Sequence, residues 1–334
     1  MTRTRDQVLG TLYGQAIGDA LGMPTELWPV ETIRQNYPEG ITTFVAGAPS
    51  NRVAKNYARG EYTDDTGQAL AILDSLITTN WRADPQSIVH QILAWADAAN
   101  AWQLNILGPS SKAALLAVKA GRDPQAVTAQ ALTNGAAMRI APVGALFEPQ
   151  QTSALIKLVA TVTKVTHASD VAIGGAGLIA GAVTAAIANY DWDAIVTYAL
   201  RVCDQAYRLG TPTWAAKLRS RVELGVRLAH ETRNEPQRFS RAIYELVGTG
   251  TMMSESAAAA IAIAYYTRDV RQCALMCANL GGDTDTIGAM ATAICGAKNG
   301  VNSIDPAWCR TIDEQNPLHD LHTYADQILN ANIN

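Results

Sequence analysis

Residues 281–297 read GGDTDTIGAMATAICGA. Two glycines lead into alternating carboxylates and hydroxyls, Asp283-Thr284-Asp285-Thr286, and a run of helical period follows from Ile287 to Lys298. Residues two apart point to nearly opposite sides of a regular helix, so Asp283 and Asp285 converge only in an irregular turn ahead of it. Gly281 and Gly282 supply the backbone freedom for such a turn. A second segment is built alike. Tyr62-Thr63-Asp64-Asp65-Thr66 stands directly before the helical run 68–77.

The helical period extends over the rest of the chain, most densely at 86–99, 152–165, 193–206, 214–228 and 317–329. Asp84-Pro85, Asp123-Pro124 and Asp305-Pro306 each put an N-capping acid before a proline at the first helical position. Ser254 precedes an Ala-rich run up to Tyr266, and Gly300 is the expected stop for the run that begins after Thr286. Alternating β-branched stretches are scarce, and no Asn-Gly or Asp-Gly pair joins two of them as a hairpin would. The expectation is an all-α chain of about a dozen helices. Gly10, Gly14 and Gly18 form a small-residue stripe that lets another backbone approach closely. Residues 38–61 are the longest stretch without helical pattern, and they lead into the first acidic motif.

At roughly 150 residues per domain, 334 residues leave room for two. Charged residues are only 17% and hydrophobic ones 48%, which favours one compact body over two small ones. A single domain over residues 1–334 is expected. The net charge of −4 argues against a duplex-binding surface, which needs a concentrated basic patch. No apolar run follows the basic residues of MTRTRDQVLG, so no secretory signal is expected. Residues 171–188 carry no charge, but their apolarity comes mostly from Ala and Gly, without aromatic belts or a flanking Lys/Arg cluster. They read as a buried helix, and no membrane partner is expected. Five cysteines include no C-x-x-C pair, and Cys273 and Cys277 lie one turn apart with no histidine near, which suits small buried hydrophobes in a reducing cytoplasm.

Asp64, Asp65, Asp283 and Asp285 repel one another at short range unless something positive lies between them. A hard divalent cation, Mg²⁺ or Mn²⁺, solves that problem, and a Thr hydroxyl is a suitable neutral ligand. Four carboxylates exceed the need of one such ion, so two ions sharing a bridging carboxylate fit better.

TDDT at 63–66, GGDTDTIGAMATAICGA and GQAIGDALGMPTE at 14–26 together resemble the ADP-ribosylglycohydrolase family, in one register from Leu9 to Gly300. The resemblance implies an orthogonal multi-helix bundle with two Mg²⁺ or Mn²⁺ ions in a central cleft. It makes Thr63, Asp64, Asp65, Asp283, Asp285 and Thr286 the metal ligands, and places Glu26 at the cleft entrance to control substrate access. Asn134-Gly135-Ala136-Ala137-Met138-Arg139 resembles the family's NGSAMR loop against the diphosphate, with Ala136 where Ser is usual. Gly108 and Ser110 fall in a second glycine loop, and His167 matches a contact to the nucleotide. Arg139 lies beside the phosphate loop and can equally pair with a buried acid. The match departs at Gly248-Thr249-Gly250-Thr251-Met252-Met253-Ser254, where relatives carry an aromatic residue and an acid.

The implied reaction is hydrolysis of an N- or O-glycosidic bond at a ribose C1, with Asp65 or Asp283 touching the attacking water. The expected substrate is an ADP-ribosylated protein or small molecule. Two alternatives stand beside it: hydrolysis of a smaller, nucleoside-like N-ribosyl compound, and a non-catalytic crystallin-like relative. All six expected ligands being intact speaks against the latter.

Overall fold

Thr4 starts the first helix. Its hydroxyl accepts from the Gln7 amide while the Gln7 side chain accepts from the Thr4 amide, so two otherwise orphaned donors are satisfied at the N-terminus of helix Arg5–Gly22. In this computed structural model, which describes residues 3–104 and 106–333, eighteen α-helical segments follow one another, and β-structure among the described residues is limited to three isolated bridges. The chain is all-α, as expected. The count exceeds a dozen because several segments, such as Ala101–Leu104, Gln125–Thr128 and Ala141–Gly144, are single turns too short to show a period.

Helix Arg5–Gly22 lies backbone to backbone against helix Thr284–Asn299. A Cβ at Gly18 would stand 2.1 Å from the Gly288 carbonyl oxygen, and one at Gly10 would stand 2.2 Å from that of Gly296. The glycine stripe serves the close approach expected of it. The partner helix answers with Gly288 and Gly296 of its own.

Helix Asp170–Ile187 is buried along its whole length and packs against helices Thr152–Lys164, Trp192–Tyr207, Met253–Thr267 and Thr284–Asn299. Among the described residues it is the one helix long and apolar enough to cross a membrane, and protein covers all of it. The buried apolar cluster draws on residues from Val8 to Ile328. Residues 38–61 hold no helix, as expected. The five cysteines are free thiols, and Cys273 and Cys277 are buried.

Four boundaries differ from the sequence reading. The 214–228 pattern begins only at Leu218, because Thr211 is held extended by bonds to Ala168 and Asp170. The 317–329 pattern begins at Leu321, where Asp320 caps. Asp123-Pro124 opens a single turn one residue late, at Gln125. Ser254 lies inside helix Met253–Thr267 and is not its cap: the Met253 amide is already taken by the Leu132 carbonyl, which fixes the start one residue earlier.

Candidate metal centre

Thr63 is the N-cap of helix Asp64–Thr78. Its hydroxyl accepts from the Asp65 amide and lies 3.1 Å from Asp65 Oδ2, to which it donates. Asp64 and Asp65 thus occupy a first turn, where the unpaired amides favour carboxylates. Across the cleft, Asp283 occupies the N-cap position of helix Thr284–Asn299 without a side-chain capping bond, and Asp285 already sits inside its first turn. The expected irregular turn is therefore shorter than anticipated and contains only Asp283. That residue's non-helical backbone (φ −87°, ψ 68°) is what lets its carboxylate meet that of Asp285.

Gly281 and Gly282 both have positive φ, 83° and 84°. A Cβ at Gly282 would stand 2.2 Å from the Thr249 carbonyl oxygen. Because that position is bare, Gly282 pairs with the segment after Glu26: the Leu27 amide donates to Gly282 O (2.7 Å) and the Gly282 amide to Trp28 O (2.9 Å). Asn51 in the long loop donates to Glu26 O at 3.0 Å. Glu26 is thereby fixed against the second acidic motif.

Two triads result. Asp19, Asp65 and Asp285 each bring a carboxylate oxygen within 4.8 Å of the others, and so do Glu26, Asp283 and Asp285. Asp285 belongs to both. Asp64 belongs to neither; it lines the cleft and accepts from Gln68 Nε2 at 3.0 Å. Asp19 is a residue the sequence reading passed over. It accepts from the Thr63 and Thr66 amides, 3.0 Å each, and from the Thr66 hydroxyl at 2.6 Å, tying the first helix to the start of the Asp64 helix. The available signal was a lone carboxylate in the apolar, glycine-containing stretch from Ala16 to Met23.

Burial pushes every one of these acids up: Asp19 and Asp283 to about 6, Asp64 to about 7, and Glu26, Asp65 and Asp285 well above the carboxylate range. For Glu26, Asp65 and Asp285 the neighbouring carboxylates add to it. No lysine or arginine lines the cleft. Asp65 Oδ1, Asp285 Oδ1 and Gln15 Oε1 are buried without a hydrogen-bond partner among the described residues. Unpartnered buried oxygens in an all-oxygen donor set fit hard divalent cations.

Above the acids is a cavity of about 200 Å³. Its opposite wall comes from the two glycine loops, through Gly108, Ser111, Thr133, Gly135 and Met138. Gly108 is the N-cap of helix Pro109–Lys119, which among the described residues has no side-chain capping bond. Asn134 Nδ2 donates to Asp283 Oδ2 and, at 3.0 Å, to Ser256 Oγ. Ala136 is buried behind the wall. The segment that departs from the family pattern straps the cleft together: Thr251 O accepts from the Asn134 amide and Thr249 O from the Asp283 amide.

His167 is fully buried behind the cavity wall, bonded to Thr133 and packed against Gly135, where a Cβ would stand 3.0 Å from the imidazole. Arg139, also buried, donates to Gln68 Oε1 and to Thr166 Oγ1. The Thr166 hydroxyl is hydrogen-bonded in turn to His167 Nδ1 (2.8 Å), His167 Nε2 to the Thr133 hydroxyl (3.1 Å), and Thr133 donates to Ser110 (2.9 Å). Burial and the Arg139 charge hold the imidazole down to about 3, so it is neutral. Among the described residues Arg139 forms no ion pair; it is held by Gln68 and Thr166, with the Asp64 charge acting on it at longer range.

The sequence model described as ADP-ribosylglycohydrolase matches residues 1–333. The chain is 41% identical to the uncharacterized protein YegU of Escherichia coli (strain K12), over 96% of this chain and 95% of that one. It is 24% identical to the ADP-ribosyl-[dinitrogen reductase] glycohydrolase of Rhodospirillum rubrum, over 92% and 90%. A solved structure described as an ADP-ribosylglycohydrolase-related protein complex superposes with a TM-score of 0.71 at 24% identity, covering 98% of this chain and 99% of that one.

Proposed function

This chain belongs to the ADP-ribosylglycohydrolase family, and from that membership we propose that it is a metal-dependent hydrolase cleaving the ribose C1 glycosidic bond, to nitrogen or oxygen, of an ADP-ribosylated acceptor. The observation that carries the reading is the pair of carboxylate triads sharing Asp285, with unpartnered oxygens beside a cavity. Thr63, Asp64, Asp65, Asp283, Asp285 and Thr286 would hold two Mg²⁺ or Mn²⁺ ions, with Asp19 and Glu26 completing the ring of acids. Such ions, when bound, supply Lewis acidity toward ribose hydroxyls and an acidified water.

The protein groups divide the remaining work. Asp65 and Asp283 are the carboxylates we assign to receive the proton of the attacking water, Asp283 being aimed by Asn134. Glu26, beside Asp283 and Asp285, positions the substrate at the entrance. We assign the Gly108 turn and the Thr133 hydroxyl, which line the cavity, to the phosphates; Thr133 is tied to Ser110, and His167 supports Thr133 from behind. We take residues 1–334 as one domain, a reading supported by the buried cluster that spans the chain. The free thiols are consistent with a reducing compartment, the cytoplasm.

A second reading, hydrolysis of a smaller N-ribosyl compound, is favoured by the cavity of only about 200 Å³ and by Met252 and Met253 where relatives offer an aromatic face. One panel decides between them. With ADP-ribosyl-arginine, ADP-ribosyl-serine, O-acetyl-ADP-ribose and simple nucleosides as substrates, release of ADP-ribose supports the first reading. Free ribose plus base supports the second. No product with either Mg²⁺ or Mn²⁺ sinks both.

A further inference from the structure

Next to the metal cleft is a second, larger chamber of about 580 Å³. Val53 and Ile106 line both spaces, and Thr63 lines the chamber one residue before Asp64. The chamber therefore abuts the place where a bond held over the acids would be broken. Its volume is that of a small-molecule pocket, which runs from about 300 to 1,000 Å³.

The lining mixes aromatic and aliphatic side chains with two carboxylates, His319 and the amides of Asn56, Gln91, Gln315 and Asn316. Trp95, from helix Pro85–Ala98, packs against the Asp64 helix where Gly67 leaves room: a Cβ there would stand 2.2 Å from the indole nitrogen. Tyr57 and Tyr62 add two more rings, and neither the indole N–H nor the Tyr57 hydroxyl has a hydrogen-bond partner among the described residues. Glu61 and Asp74 supply carboxylates, and no lysine or arginine lines the chamber. Each acid has one oxygen engaged, Glu61 by the Ala58 amide and Asp74 by the Tyr324 hydroxyl; the other oxygen of each has no partner among the described residues.

This chemistry selects its guest. A phosphate would meet two carboxylates and neither lysine nor arginine, with the His319 imidazole held below its ordinary value by burial, so the ADP half of a substrate does not belong here. A thin aliphatic chain would leave the rings uncovered. A flat ring system bearing N–H groups can stack on the indole and donate to the acids together. We propose that the chamber is the leaving-group pocket and takes a planar, amino-bearing nitrogen heterocycle, neutral or singly protonated, as the aglycone of the ribosyl bond. The proposal rests on the glycosidase reading for the identity of the bond, but not for the binding itself.

The test is titration calorimetry of the full chain in Mg²⁺ with 2-aminobenzimidazole as probe. One-site binding is expected, with benzoate giving none because the acids repel it. Trp95→Ala should weaken the probe about tenfold, the scale of one lost base–aromatic stack, and Trp95→Phe, which keeps a ring, about threefold. Absence of probe binding, binding unchanged in both variants, or benzoate binding as tightly overturns the assignment. Agmatine binding more tightly than the heterocycle also overturns it. None of these measurements needs turnover. Release of ADP-ribose in the substrate panel without probe binding would remove the chamber assignment and keep the reaction; the reverse pattern would do the opposite.

Discussion

Asp19 and Asp285 stand within 4.8 Å of each other by their carboxylate oxygens, although one comes from the first helix and the other from a helix near the far end of the chain. Two buried acids do not choose each other's company. Their meeting is imposed by the backbone contact between helices Arg5–Gly22 and Thr284–Asn299, in which glycines face carbonyl oxygens from Gly10 to Gly22. The metal centre is thus a product of helix packing as much as of its acidic motifs.

Gly18→Ala tests that dependence. Its methyl would meet the Gly288 carbonyl, which is backbone and cannot rotate away. Overpacking of this kind costs about 1–3 kcal/mol, and here it also parts the helices that carry Asp19 and Asp285. The expected result is a lower Tm together with a smaller Tm increase on adding Mn²⁺. A variant with lower Tm but an undiminished Mn²⁺ response would show that the packing does not set the acid spacing.

Asp285→Asn removes the carboxylate that both triads share. Without metal, the change removes a carboxylate that burial and the charges of Glu26, Asp65 and Asp283 disfavour, and it should raise the urea midpoint. With metal, the wild type gains stability by mass action, about 2.7 kcal/mol when the ion is at a hundred times its Kd, and the variant should gain none. Urea melts with chelator and with Mn²⁺ give both numbers. Loss of turnover with unchanged far-UV circular dichroism completes the expectation.

The pH dependence of the metal-free protein follows from the raised carboxylates. Asp19, Asp64 and Asp283 titrate at about 6 to 7 in the fold and near 4 when unfolded. The folded state therefore binds more protons in that interval. Their stabilisation is fully present below about pH 4 and lost as pH rises through 6 to 7. With chelator present, the urea midpoint should be higher at pH 5 than at pH 8, and saturating Mg²⁺ should flatten the difference. A midpoint that rises from pH 5 to 8 in chelator would contradict the buried acid cluster.

Much of this was legible in the sequence. TDDT and GGDTDT announced two carboxylate-bearing helix starts, and the glycine stripe announced a close helix contact, because both signals are local. Asp19 was not legible as a partner: its role depends on which residue lies across a helix interface, and nothing near it in the chain says that Asp65 and Asp285 do. His167 shows the same limit from the other side. Its neighbours in sequence gave no hint that Arg139, Thr133 and Ser110 would fold around it and hold it behind the wall of the cavity. The 580 Å³ chamber had no sequence signature at all, since its lining comes from scattered positions, among them Tyr57, Asp74, Trp95 and Leu318.

The hydroxyl chain behind the wall gives the last prediction. Arg139 can only donate to Thr166 Oγ1, which leaves the Thr166 proton free for His167 Nδ1, and the expected tautomer of His167 therefore carries its proton on Nε2, toward Thr133. Nitrogen NMR should show that single neutral tautomer from pH 5 to 8, because the fold holds the imidazole down to about 3. Unfolded, the same ring titrates near 6.5, so this group's contribution is intact above that pH and declines as pH falls toward 3. Thr166→Val removes the donor to Nδ1 and an acceptor from Arg139. It should cost about 1–3 kcal/mol for the unpaired buried guanidinium, and allow a proton on Nδ1. Thr133 and Ser110 then lose their imposed order, and ADP-ribose binding should weaken by about five- to tenfold, the loss of one charge-directed hydrogen bond, while kcat changes less. An unchanged tautomer in Thr166→Val, or an unchanged Kd for ADP-ribose, would separate the chain from the phosphate wall.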